Sequence, residues 1–160
     1  MYFGEYTTRL DDKGRITVPS QYRKIMEVLG HDVWYMTRGF DRSIFLFHRE
    51  EWNKLRGQVG KYSSMNARAL DFRRLFFGSV AEVRHDPQGR MAVPQHLREH
   101  AGLNGEAVLI GVDDHIELWD KNAWRAFQSS NEAEFKAMAS QLFVGEEGND
   151  AATEKGGRVE

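Results

Sequence analysis

The stretch Asp11-Asp12-Lys13-Gly14-Arg15-Ile16-Thr17-Val18-Pro19 returns later in the chain as Asp86-Pro87-Gln88-Gly89-Arg90-Met91-Ala92-Val93-Pro94. Asp, Gly, Arg, Val and Pro recur at one offset (86 − 11 = 75; 94 − 19 = 75), and Arg23 and Arg98 extend the match four residues past each Pro. A repeat of this kind sets the architecture before any single element is read. Asp at the first place of a four-residue turn and Gly at the fourth form the pattern of a type I β-turn, and Pro87 holds the second place, where proline is favoured. The Asp side chain accepts from main-chain N–H groups two residues on, and the Gly takes the left-handed conformation that closes the loop with a bulge. Each copy therefore reads as the tip of a tight hairpin, spanning residues 5–18 in the first copy.

The flanks agree. Tyr6, Thr8 and Leu10 alternate with Thr7 and Arg9, and Ile16 and Val18 alternate with Arg15 and Thr17. Period two sends the first set to a core and the second to water. Arg9 and Arg15 then flank the tip on its exposed face, and Arg84 and Arg90 repeat them at the offset of 75 (84 − 9; 90 − 15), although His85 replaces Leu10. A turn needs its Asp and Gly, but it does not need Arg at the same place twice. Arg15, Arg90, Arg9, Arg84 and Lys13 are therefore the candidate binding residues, and Asp11, Gly14, Asp86 and Gly89 shape the turns.

After Pro19, Ser20 is placed to cap a helix whose Tyr22, Ile25, Met26 and Leu29 form one apolar stripe, stopped by Gly30. Val33–Met36 and Ile44–Phe47 read as strands, and Arg49–Leu55 as a short helix carrying Trp52. The second copy follows the same order: a helix near Gln95–Ala101 closed by Gly102, strands at Ala107–Ile110 and Ile116–Trp119, and a helix with Trp124. Here the offset falls to 72 (Gly39 to Gly111, Ile44 to Ile116, Trp52 to Trp124), so the second copy is three residues shorter. The expected fold is α+β: two tandem ββαββα units packed as one pseudo-twofold β-barrel with peripheral helices, because two strand-rich units sharing edges leave fewer unpaired strands. The expected divisions are 5–55 and 79–127 for the copies, 56–78 for a connecting helix capped by Ser63 or Ser64, 128–144 for a C-terminal helix broken near Ser129-Ser130, and 145–160 for a disordered acidic tail.

Composition narrows the function. The formal net charge is −2, but residues 145–160 hold five acids and two bases. Residues 1–144 therefore carry 20 bases and 19 acids (22 − 2; 24 − 5). Local patches rather than overall charge would have to bind phosphate. Six arginines lie in residues 68–98. No cysteine is present, which excludes disulfides, a thiol nucleophile and Cys-ligated zinc. No apolar run spans a membrane and the N-terminus is not a signal peptide, so a cytoplasmic protein without membrane partner is expected.

The doubled Asp-x-x-x-Arg signature, Asp11 to Arg15 and Asp86 to Arg90, resembles the MraZ family of bacterial regulators built from two SpoVT-AbrB swapped-hairpin repeats. Arg74-Leu75-Phe76-Phe77 and Glu117-Leu118-Trp119-Asp120 are similar to its pattern too, and the resemblance covers about residues 1–127. It implies a regulator that binds double-stranded DNA at short direct repeats in its own promoter, at the head of a division and cell-wall gene cluster. It also implies association into ring-like homo-oligomers and a nucleoid location. The family's signature arginines contact DNA, which carries onto Arg15 and Arg90; Lys13, Arg9 and Arg84 are added from hairpin geometry.

Two other readings compete. His96-Leu97-Arg98-Glu99-His100 matches the H-x-x-E-H pattern of inverted zinc peptidases, yet the same helix in copy one has Gln21 and Ile25 at the His positions. No phosphate loop, nucleophile elbow or dinucleotide fingerprint accompanies it, so no cofactor, metal or small-molecule substrate is expected. An AbrB-like antitoxin or other protein-interaction module is the second, although the acidic tail lacks the large apolar residues that a toxin groove would take. Trp34, Trp52, Trp119 and Trp124 lie in apolar-periodic elements and read as core.

Overall fold

The computed structural model describes residues 1–63 and 65–153, the side chains of 145–153 excepted. Both copies follow the expected ββαββα order. The first runs β1 (Glu5–Arg9), β2 (Arg15–Thr17), α1 (Ser20–Val28), β3 (Trp34–Arg38), β4 (Ile44–Phe47) and α2 (Arg49–Gly60). After α3 (Ala67–Gly78) the second runs β5 (Ala81–Val83), β6 (Arg90–Ala92), α4 (Gln95–Ala101), β7 (Glu106–Gly111), β8 (Ile116–Asp120) and α5 (Lys121–Asn131). Met1–Ala123 form one compact unit, and the described residues from Trp124 onward form a second, which contains α6 (Phe135–Thr153).

The hairpins do not close on themselves. β1 pairs antiparallel with β7, and β2 pairs with β6. Each tip therefore joins a strand of one sheet to a strand of another. The large sheet has the order β1-β7-β8-β4-β3-β5, which reads the same when the two copies are exchanged and the order reversed. It is an open sheet with β1 and β5 at its edges, not the single closed barrel expected, and β2–β6 form a separate two-stranded ribbon.

Strand periodicity explains the layers. Ile44 and Leu46 join a core with Trp34, Met36, Leu109, Ile116 and Leu118, beneath Ile16, Val18, Met91, Val93 and the helices carrying Tyr22, Met26 and Leu97. The alternate residues Phe45 and Phe47 enter a second cluster with Trp52 and Phe76. A strand buried on both faces has no polar alternation to show, which is why Ile44–Phe47 reads as an unbroken apolar run. Trp34, Trp52 and Trp119 are buried as core residues, whereas Trp124, expected in the core as well, is only half-buried.

Several sequence expectations need correction. Met36 stands opposite Leu46 and Leu109 opposite Leu118, so β3 and β7 are related by 73 residues (109 − 36), whereas β4 and β8 are related by 72 (118 − 46). Gly39 and Gly111 are thus not equivalent, and the extra residue lies in the β3–β4 connection. Ser20 makes no capping bond to α1. The cap of α3 is Asn66, whose side chain accepts from the N–H groups of Arg68 and Ala69; Ser64 lies outside the described residues. α5 continues through Ser129 and Ser130, and the break comes at the 3-10 turn Glu132–Glu134. α6 then runs on to Thr153, into the stretch expected to be disordered; residues 154–160 lie outside the described residues.

The N-terminus is strapped over the end of β7. Tyr2 exchanges two main-chain hydrogen bonds with Asp113, each 2.9 Å, and Gly111 N–H donates to Gly4 O at 2.9 Å. The Tyr2 side chain is fully buried edge-on against Tyr22, with its hydroxyl 2.9 Å from His48 Nδ1. A β-carbon at Gly111 would lie 2.6 Å from Tyr2 O, so backbone rather than a movable side chain fills the space. Gly111→Ala should cost about 1–3 kcal/mol through overpacking, seen as a lower urea midpoint with an N-terminal segment that exchanges amide hydrogens faster. An unchanged midpoint would contradict this close approach.

Candidate nucleic-acid interface

Both tips have the turn read from the sequence. Gly14 N–H donates to Asp11 O at 3.1 Å and Gly89 N–H to Asp86 O at 2.8 Å, with φ of +74° and +81° at the glycines. Asp11 N–H then donates to Arg15 O, and Asp86 N–H to Arg90 O, both at 2.9 Å. The carboxylates divide their work. Asp11 Oδ1 accepts the N–H groups of Lys13 and Arg15 at 2.9 Å, and Oδ2 accepts Arg15 Nε at 2.8 Å. Asp86 repeats this with Gln88 N–H at 3.0 Å, Arg90 N–H at 2.8 Å and Arg90 Nε at 2.8 Å. The spacing Asp-x-x-x-Arg is thus the spacing at which this bulged turn brings the guanidinium back to the first carboxylate.

These bonds depress both acids. The Arg15 N–H is the largest influence on Asp11; desolvation comes next and opposes it, and the Arg15 guanidinium and the Lys13 N–H reinforce the lowering. At Asp86 desolvation is the largest single influence and pushes upward, but the N–H and guanidinium of Arg90 outweigh it. A carboxylate whose pKa is lowered on folding contributes stability above its unfolded value, near 4, and loses it as pH falls through the folded value. The tips should therefore loosen only below pH of about 4, with amide protection at residues 11–15 and 86–90, taken relative to the intrinsic exchange rate at each pH, falling there ahead of the sheet. Asp11→Asn should remove the acid dependence of the first tip alone, and an unchanged profile in that variant would refute the assignment.

The ribbon sets where the arginines point. Arg15 stands opposite Ala92, Ile16 opposite Met91 and Thr17 opposite Arg90. By strand alternation Ile16 and Met91 share one face, and both are buried. Arg15, Thr17, Arg90 and Ala92 share the other. Arg15 and Arg90 are diagonal neighbours on it, about 7–8 Å apart at the backbone, with side chains 26% and 42% exposed. Each is held through Nε, and among the described residues neither Nη pair makes a hydrogen bond.

The other candidates scatter more widely. Lys13 lies exposed at the first tip, where the second tip has Gln88. Arg9 is exposed on β1, opposite Glu106. Arg84 is exposed but ion-paired with Asp32. His96 and His100 do not converge on a metal site: His96 Nε2 lies 2.9 Å from Ser79 O and His100 Nε2 3.3 Å from Gly39 O. Glu99 accepts from Gln95 Nε2 instead. No group of three His, Asp or Glu able to hold a metal occurs among the described residues, and no helix there is long and apolar enough to cross a membrane.

Two residues were missing from the candidate set. Arg23 Nε donates to Val18 O at 3.1 Å, and a β-carbon on Gly89 would lie 2.7 Å from Arg23 Nε. Arg98 lies over Gly14 in the same way, its Cζ 2.8 Å from where a β-carbon would be. The signal was present, since both arginines obey the offset of 75.

Comparison with known proteins fits this duplication. The family model described as "MraZ protein, putative antitoxin-like" matches residues 1–75 and again residues 76–144. The chain belongs to the MraZ family. The protein named Transcriptional regulator MraZ from Acetivibrio thermocellus is 35% identical over 142 residues, which cover 89% of this chain and 96% of that one. Each of the two MraZ matches contains one Asp-x-x-x-Arg turn.

Proposed function

We propose that this chain is a sequence-specific DNA-binding transcriptional regulator, located in the cytoplasm at the nucleoid, that acts on its own promoter within a division and cell-wall gene cluster. The observation that carries the reading is the placing of Arg15 and Arg90 on one exposed face of the β2–β6 ribbon. A two-stranded ribbon fits the major groove, and arginine bonds guanine O6 and N7 bidentately. A guanidinium held by Asp through Nε keeps its Nη edge for that pairing and loses little freedom on binding. Lys13 and Arg9 are suited to phosphate, which fixes register without reading sequence; Arg84 can join them by exchanging Asp32 for phosphate.

A near-neutral protomer offers few phosphate contacts. Self-association into a ring facing direct repeats would raise binding through effective concentration. The reading includes packing of the two repeats as swapped hairpins about a pseudo-twofold axis, supported by the crossed pairing of β1 with β7 and β2 with β6. It calls for no catalytic residue or cofactor. Footprinting on the DNA upstream of its own coding sequence tests it: protected, evenly spaced direct repeats support the reading. Binding that is equally tight to unrelated duplex defeats it.

A further inference from the structure

We infer that Arg23 and Arg98 are crossed positioning residues: each holds the reading turn of the other copy, so that neither copy has a complete turn by itself. The inference rests on the DNA-binding reading for its functional consequence but on geometry alone for the coupling. The ladder between β2 and β6 does not stop at the strand ends. Val18 N–H donates to Gly89 O at 2.8 Å, and Val93 N–H donates to Gly14 O at 2.9 Å. Each turn glycine is therefore hydrogen-bonded by the other copy, although it belongs to a loop of its own.

The arginine completes the crossing. Arg23 and Arg98 stand in the first turns of α1 and α4, their N–H groups donating to Pro19 O and Pro94 O. From there the Arg23 guanidinium reaches Val18 O and covers Gly89, and Arg98 covers Gly14. Both glycines are buried although they lie in surface turns. Any side chain at these glycines would displace the guanidinium, besides meeting the strain of a left-handed φ. Among the described residues, Arg98 Nε is buried with no hydrogen-bond partner. Packing over Gly14, rather than a bond of its own, accounts for its place.

Mechanically, Gly14 lies between Asp11 and Arg15, and Gly89 between Asp86 and Arg90. Fixing the glycine from above and through its carbonyl fixes the frame on which Asp orients Arg. The consequence runs in trans. Losing Arg98 loosens the turn that carries Arg15, and losing Arg23 loosens the turn that carries Arg90. Arg15 and Arg90 thereby act as one reading head, with their spacing set by both copies together.

The test uses the full chain with Arg98→Lys, Arg98→Gln, Arg23→Lys and Arg23→Gln, read by peptide-resolved hydrogen exchange without DNA and by titration of the duplex upstream of its own coding sequence. The Arg98 variants should speed exchange at 11–15 and spare 86–90, with the Arg23 variants giving the reverse. Lys keeps the charge but not the flat plate, so it should rescue little. In DNA binding, the loss from Arg98→Gln should fall short of additivity with Arg15→Ala by about threefold or more and be additive with Arg90→Ala. Exchange that rises in the variant's own copy, or equally in both turns, overturns the coupling. So does full rescue by Lys. If the native chain fails to bind the duplex, the DNA reading falls, and the exchange pattern still decides the coupling.

Discussion

Arg15→Ala should sharply weaken specific binding to the promoter duplex while the protein melts as the native chain does. One bidentate Arg–guanine pair discriminates by about 1–3 kcal/mol, so the single variant should lose about tenfold to a hundredfold in affinity. Arg15→Ala combined with Arg90→Ala should leave only the salt-sensitive binding common to any duplex. The fold survives because Arg15 is not what closes its turn. Asp11 keeps the N–H groups of Lys13 and residue 15 as donors, and Gly14 N–H still reaches Asp11 O. The buried partner in this part of the ribbon is Ile16, which the substitution does not touch. An anisotropy titration beside a thermal melt checks both halves. Native affinity with a native melt would show that Arg15 makes no base contact.

What the sequence disclosed follows from which forces are local. The Asp-x-x-Gly turn is a contact among neighbours, and its residues state it in full. Alternation along Tyr6–Leu10 and Ile16–Val18 told which side chains turn inward, because side-chain direction along a strand is fixed by parity. Alternation carries no information about which strand lies alongside. Hence β1 and β2 were read as partners, when their partners are β7 and β6, about a hundred and 75 residues away in sequence. The one-residue slip between β3 and β7 was hidden for a related reason. Gly39 and Gly111 match by letter, but the core positions Met36 and Leu109 decide the register. Ser63, Ser64 and Asn66 are all residue types that cap helices, and only the observed start of α3 at Ala67 selects Asn66 among them.

The candidate site was legible to the same degree. Arg15 and Arg90 come together, yet on a ribbon made by both copies rather than on two separate hairpins. Arg84 shares the offset but meets Asp32 instead, and Asp32 has no counterpart that the repeat would have announced. Arg23 and Arg98 were visible as repeated letters and invisible as a mechanism, since each acts on a turn in the other copy.

That crossing makes the strongest demand on folding. The isolated first copy, residues 1–78, should not fold as a monomer. Without the second copy, β1 loses β7, β2 loses β6 and β4 loses β8, leaving only the β3–β4 hairpin. A lone two-stranded hairpin is marginal in water, and Ile16, Val18 and Met26 would be bared along one side. The sheet order, however, is unchanged by exchanging the copies. A second molecule of residues 1–78 can therefore stand where the second copy stood, with β2 against β2 and β1 against β3 of its mate, in a closed twofold dimer. Its stability would then depend on concentration, as it does for any fold completed only by association. Sedimentation with circular dichroism across a dilution series should show folded dimer passing to unfolded monomer, and added residues 79–144 should compete for the same sites. A folded monomer of residues 1–78 at high dilution would mean that the strands pair within one copy after all, and the shared ribbon that carries Arg15 and Arg90 would lose its basis.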